Sequence, residues 1–282
     1  MLNAMLSCTD TVQTLSLTYN NPLGNFAVDS PEKAVITLYC DDTLVGEYTR
    51  NTYYGWWLEY KPEHGKEYTI RVEVDGEPAL SATTSTPDEP RISFHSISAG
   101  AQRNFVLNFY QYPFSDPFWI YNCHTYFERP YISMSSIPFL PKNTILYDEI
   151  GTNHIYADNF NLTGKEISSA GFPVKYPVHL AYIRIIPDEE FSRRGNEHVR
   201  FGFGVETIPN DGFIVFRSAS REYDDYLKSS LKKALLFNEE YDISRWFDES
   251  SVYSNIENGL GIFASYSDLI YYYYPDLEQY EY

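Results

Sequence analysis

Short alternations of apolar and polar residues run through the first third of the chain, and their period predicts strands. Residues 11–19 (TVQTLSLTY) and 68–74 (YTIRVEV) set an apolar side chain at every second position. That period turns one face of an extended segment toward a core. Residues 2–6, 34–39, 44–48, 56–60 and 80–84 read as further short strands. Turn clusters separate them: Asn20-Asn21-Pro22-Leu23-Gly24, Asp41-Asp42, Pro62-Glu63-His64-Gly65 and Asp75-Gly76. Asp-Gly between two alternating runs is a strong hairpin signal. About seven short strands at this spacing predict an immunoglobulin-like β-sandwich over residues 1–87.

Ser85-Thr86-Pro87-Asp88-Glu89-Pro90 is the best domain boundary, because two prolines remove ladder donors. Beyond it, residues 91–282 predict a larger β-rich domain with one short helix. Strand character is clear at 92–97, 105–110, 118–126, 178–186, 199–205 and 213–216. It weakens between 130 and 177, where short strands are expected near Ile145 and His154. The helix is expected near 220–237, with Ser220 as its N-terminal cap. Tyr223, Leu227, Leu231, Ala234 and Leu235 recur at helical spacing and define an apolar face. Asp224 and Asp225 are expected on the wet side, and Asn238 as the stop. Pro275 should end the aromatic run Tyr271–Tyr274, leaving 276–282 loosely ordered.

Charge narrows the partners. With 39 acidic against 21 basic residues, the net charge is −18. Such a surface repels phosphate backbones and anionic lipid, so nucleic acid is not an expected partner. No run approaches the ~18 apolar residues of a membrane span. The first residues lack a basic segment and a long apolar core, so no secretory signal is read there. Leu6-Ser7-Cys8 looks like the tail of a lipoprotein cleavage site, but nothing upstream could export it. Residues 2–6 are read as the first strand and the start as a truncation, leaving any lipid anchor outside this chain. Cys8, Cys40 and Cys123 show no CxxC spacing; they allow one bridge with a thiol left over, and free buried thiols are the leading expectation.

Three segments carry a family resemblance. The first is Gly65-Lys66-Glu67-Tyr68-Thr69-Ile70-Arg71-Val72 with Asp75-Gly76 and Ser81-Ala82-Thr83-Thr84-Ser85-Thr86-Pro87. The second runs from Phe213-Ile214-Val215-Phe216 through Arg217-Ser218-Ala219-Ser220 into Arg221-Glu222-Tyr223-Asp224-Asp225-Tyr226-Leu227. The third is Ser254-Asn255-Ile256-Glu257-Asn258-Gly259-Leu260-Gly261-Ile262-Phe263. Together they resemble the domain of unknown function 4249 family of Bacteroidetes cell envelopes. The resemblance implies a lipoprotein-like protein of the outer membrane, its gene often beside TonB-dependent receptors. It supplies no catalytic residues.

The third segment also makes physical sense by itself. Asn255 can bond its own backbone and hold a turn. Gly259 and Gly261 permit positive φ or a close backbone approach, and Ile262 and Phe263 re-enter a core. The structural reading outweighs a phosphate loop, since no Lys-Ser/Thr pair and no helix follow. Gly261→Val is expected to destabilise the second domain.

Candidate chemistry is sparse. The six histidines are scattered, and Glu197-His198 lacks an HExxH frame, so no metal or cofactor is expected. Asp41-Asp42, Asp224-Asp225, Glu239-Glu240 and Asp248-Glu249 are adjacent acids of the kind usually solvated at turns. No GxSxG elbow occurs. Cys123 and His124 would face opposite sides of a strand. Tyr53, Tyr54, Trp56 and Trp57 are the ligand-binding candidates: they stack on a sugar or peptide, or they fill the sandwich core. The leading expectation is a non-enzymatic envelope accessory protein. It would bind a TonB-dependent receptor or a small nutrient. A carboxylate-dependent hydrolase of glycan or peptide and a structural scaffold are the alternatives.

Overall fold

The computed structural model of the chain describes residues 1–19, 30–51, 55–99, 105–111, 116–124, 131–133, 179–185, 199–205, 212–227, 229 and 252–273. These form sixteen strands and one short helix, so the protein is mostly β. In chain order the first eight are β1 (Leu2–Ser7), β2 (Val12–Leu17), β3 (Val35–Cys40), β4 (Thr43–Glu47), β5 (Thr49–Asn51), β6 (Gly55–Glu59), β7 (Glu67–Glu73) and β8 (Leu80–Ser85). The rest are β9 (Ile92–Ala99), β10 (Phe105–Gln111), β11 (Phe118–His124), β12 (Tyr131–Ser133), β13 (His179–Ile185), β14 (Val199–Val205), β15 (Gly212–Ala219) and β16 (Gly261–Tyr273). The strands expected near Ile145 and His154, the helix beyond residue 229 and the tail 276–282 lie outside the described residues.

Two compact units divide the chain. One combines Met1–Asp88 with Ala219–Ser267; the other combines Glu89–Ser218 with Asp268–Tyr282. The division corrects one expectation. The helix and the closing segment were assigned to the second domain, and both pack in the first unit. The physical reason is a parallel ladder of six residue pairs, Leu2–Ser7 of β1 against Gly261–Tyr266 of β16.

The first unit has two sheets, ordered β16-β1-β2-β6-β5 and β4-β3-β7-β8. The alternation read from the sequence decides which face is buried. Gln13, Leu15 and Leu17 point inward from β2, as do Tyr68, Ile70 and Val72 from β7. Leu2, Leu6, Leu15, Leu17, Ile36, Leu38, Ile70 and Val72 meet in one core drawn from both sheets. Truncating a buried leucine of this kind costs about 2–5 kcal/mol.

Local chemistry makes the corners. Asp41 and Asp42 adopt φ of 45° and 64°, the two positive values that a two-residue hairpin loop demands. Tyr68, one residue into β7 and fully buried, accepts the Glu63 backbone N–H at 2.9 Å. Its hydroxyl also meets that of Tyr60 at 3.0 Å, with the rings edge to face. Thr86 ties the start of the linker to this corner: its hydroxyl accepts the Lys66 N–H at 3.0 Å and donates to the Glu63 carbonyl at 2.6 Å.

In the second unit, β11 pairs antiparallel with both β13 and β15. A separate sheet runs β12-β14-β10-β9. Phe118 and Phe216 stack with ring centroids 6.3 Å apart, and Trp119 is buried. Beside them Arg217 grips Asp268 through two parallel bonds of 2.6 Å, Nε to Oδ1 and Nη2 to Oδ2. Both side chains are nearly excluded from water, at 10% and 7% exposure. The fork matches carboxylate geometry, which makes the pair directional as well as charged.

Candidate functional site

The aromatic candidates separate. Trp56 and Trp57 are neighbours on β6, so they face opposite sides of the sheet. Trp56 is 6% exposed and belongs to the core drawn from both sheets, which corrects its candidacy as a stacking surface. Trp57 is half-buried on the outward face, in register with Thr14 of β2 and Thr49 of β5. Tyr53 and Tyr54 lie outside the described residues.

The most organised constellation is the closing segment, 254–267. Its first part covers the outer edge of β8. Asn258 Nδ2 donates to the Ala79 carbonyl at 3.0 Å, and the Glu257 N–H donates to Ser81 at 2.9 Å. Asn255 Nδ2 reaches the Thr83 carbonyl at 3.4 Å, and Ser265 Oγ donates to Ser85 at 2.8 Å. Four alternate carbonyls, three in β8 and one just before it, therefore have donors. An uncovered edge would be a template for uncontrolled pairing. The second part, from Gly261 on, pairs with β1. One segment thus closes both sheets along a single side.

Asn255 couples the two parts. Its Oδ1 accepts the Phe263 N–H at 2.9 Å and its Nδ2 donates to the Phe263 carbonyl at 2.7 Å. The amide thereby stands in for a missing strand neighbour. Gly261 sits at φ 124° against Leu2; a Cβ there would lie 1.8 Å from the Leu2 carbonyl oxygen. Only glycine permits that approach. Phe263 is fully buried in the core. Asn255, Gly261 and Phe263 therefore serve the packing of this segment, and at Gly259 a Cβ would meet Leu80 Cδ2 at 2.9 Å.

The helix of residues 221–227 begins as expected. Ser220 Oγ accepts the Tyr223 N–H at 3.2 Å, the capping bond read from the sequence. It also accepts the Ser265 N–H at 3.2 Å, which fastens the helix to β16. Glu222 accepts the Thr84 hydroxyl at 2.8 Å. Tyr223 and Leu227 are buried as predicted, but so is Asp224 at 4% exposure, against the expected wet side. The described helix is short and enclosed, so helical spacing alone misassigned that face. Burial, then the carboxylates of Glu222 and Asp225, push the Tyr253 phenol up.

Other polar groups are also engaged in the fold. Gln13, 1% exposed, accepts the Ser7 N–H at 2.8 Å and donates to the Asp10 and Tyr60 carbonyls at 3.0 Å. Lys66 bonds Asp41 at 2.7 Å in the open and holds its carboxyl below the usual range. Cys8 and Cys40 carry thiols rather than a disulfide; Cys8 is buried and Cys40 only half-buried. Cys123 and His124 follow each other on β11, and register sets His124 opposite His179 of β13. That juxtaposition was invisible from spacing along the chain. Among the described residues no group of His, Cys, Asp and Glu has a metal-holding arrangement.

The architecture defines a mostly-β protein of two units, the first sealed by a strand returning from near the C-terminus. A family model, Domain of unknown function (DUF4249), matches residues 1–269. The chain belongs to that family. No curated protein matches it. Among solved structures it is similar to a Corynebacterium diphtheriae protein described as membrane anchored, at 11% identity and a TM-score of 0.24. The match covers 78% of this chain and 54% of that one, a likeness too slight to carry an argument. Among the described residues no helix is long and apolar enough to cross a membrane.

Proposed function

We propose that this protein is a non-enzymatic accessory module of the cell envelope that binds a partner protein. The partner we assign is a TonB-dependent outer-membrane receptor, as the family resemblance implies. The observation that carries the reading is the strand order of the first unit. Lettered in chain order from A with β4 as C′, its sheets run A-B-E-D and C′-C-F-G. That order matches the one an immunoglobulin-like sandwich would have, and the Tyr68 bond to Glu63 resembles the tyrosine corner of such folds; both support the reading. Sandwiches of this kind present loops and outward sheet faces to partners. Function resides in the surface rather than the fold, so the surface must be named. We assign the outward face around Trp57, flanked by Thr14 and Thr49, because an indole beside small hydroxyls suits a protein or nutrient contact.

The test is recovery of tagged protein from native envelopes. Reproducible co-purification of a TonB-dependent receptor, weakened by Trp57→Ala at unchanged melting temperature, supports the reading. Recovery of no reproducible partner defeats it.

A further inference from the structure

The closing segment contains the chain's single Asn-Gly pair, Asn258-Gly259. The structure explains why each residue is there. Asn258 takes a left-handed φ of 59°, which asparagine tolerates best among residues with side chains, and caps the Ala79 carbonyl. At Gly259 a Cβ would meet Leu80 Cδ2 at 2.9 Å, so any larger residue would have to push that leucine aside. The covered strand edge thus carries the dipeptide in which an asparagine side chain is least shielded from the next backbone nitrogen. Residues 257–260 are all exposed, so water and hydroxide reach them. Among the described residues no backbone carbonyl takes the Gly259 N–H.

We propose that Asn258 is a self-modification site and that its reaction loosens the segment that seals the first unit. The Gly259 nitrogen attacks Asn258 Cγ. A nitrogen–carbon bond forms, the Cγ–Nδ2 bond breaks, and ammonia leaves carrying the proton from Gly259. Water then opens the five-membered imide at either carbonyl, giving aspartate or isoaspartate. The sum is amide plus water to carboxylate plus ammonium; no oxidant or enzyme enters. The product has no Nδ2 to donate to Ala79. Its carboxylate instead faces that carbonyl, beside the Glu257 carboxylate already bonded to Ser81. A donor is replaced by a repelling acceptor on the strand edge.

The test incubates the folded full chain in mildly alkaline buffer and maps its peptides by mass. The expected result is a gain of about 1 Da confined to the peptide holding residue 258, eluting as two isomers. Asn258→Gln, whose ring would be larger, should resist. The aged protein and Asn258→Asp should both melt lower than fresh protein, by about 3 °C. No gain at residue 258, while a synthetic peptide of residues 254–262 converts in the same buffer, overturns the modification. A gain without any fall in melting temperature, in both the aged protein and Asn258→Asp, overturns the loosening.

Discussion

Gly261→Val tests the closing segment most directly. The perturbation adds a branched side chain where φ is 124° and where even a Cβ would stand 1.8 Å from Leu2 O, 2.7 Å from Leu2 C and 2.9 Å from Leu2 N. The obstacle is backbone, so no rotamer relieves it; β1 and β16 must separate. Separation forfeits the Leu2 N–H bond to the Leu260 carbonyl, 2.8 Å long, and strains the pairs that follow. Backbone strain at such a φ costs about 1–3 kcal/mol. Forced repacking adds about 1–3 kcal/mol. A total of about 4 kcal/mol is a large share of ordinary domain stability. Thermal unfolding followed by circular dichroism should show a melting temperature lower by about 10 °C. The loss belongs to the first unit. Gly76→Ala is the control: φ there is 81°, but a Cβ would meet nothing within 4 Å. It should lose only about 1 kcal/mol, the cost of φ alone. Equal effects at both positions, or an unchanged melting temperature for Gly261→Val, would falsify the steric account.

Three further outcomes are expected. Asn255→Ala removes both bonds to the Phe263 backbone and should cost about 2 kcal/mol in urea unfolding, whereas a loss below ~0.5 kcal/mol would show that water replaces the amide. Arg217→Ala leaves Asp268 buried without its fork and should cost about 3–5 kcal/mol, while pairing Arg217→Met with Asp268→Leu should recover most of it; an additive double variant contradicts this. Burial pushes the phenols of Tyr48 and Tyr68 above their ordinary value of 10.0, with the Tyr60 hydroxyl adding to the Tyr68 shift. Their neutral forms are favoured in the folded state, so this stability is fully present below pH 10.0 and is lost as pH rises toward the raised values. Melting temperature should therefore fall in that alkaline window, and less steeply in Tyr68→Phe; identical slopes would refute the assignment.

Much of the first unit was legible in order along the chain. Residues 68–74 alternate, and β7 buries Tyr68, Ile70 and Val72 accordingly. Asp41-Asp42 and Asp75-Gly76 are turns, and Ser220 is a helix cap. Each is a local property, set by a residue and its immediate neighbours, so sequence carries it. Periodicity misled where enclosure differed from pattern. Asp224 fell on the polar face of an ideal helix yet is buried. Trp56 and Trp57 looked alike until pleating turned one into the core and left the other half-exposed.

The sequence by itself determined strand positions, turn chemistry and the need for glycine at 261. Only tertiary structure decided which strand lies beside β1 and which donors cover β8. Ser81 and Glu257 bond across 176 positions of chain, and Ser85 and Ser265 across 180. Apolar period 2 tells a strand which face to bury but not which edge to join, because every strand offers the same backbone donors and acceptors. The choice was made by the shape of the partners: a glycine where Leu2 crowds and an asparagine where Phe263 needs a neighbour.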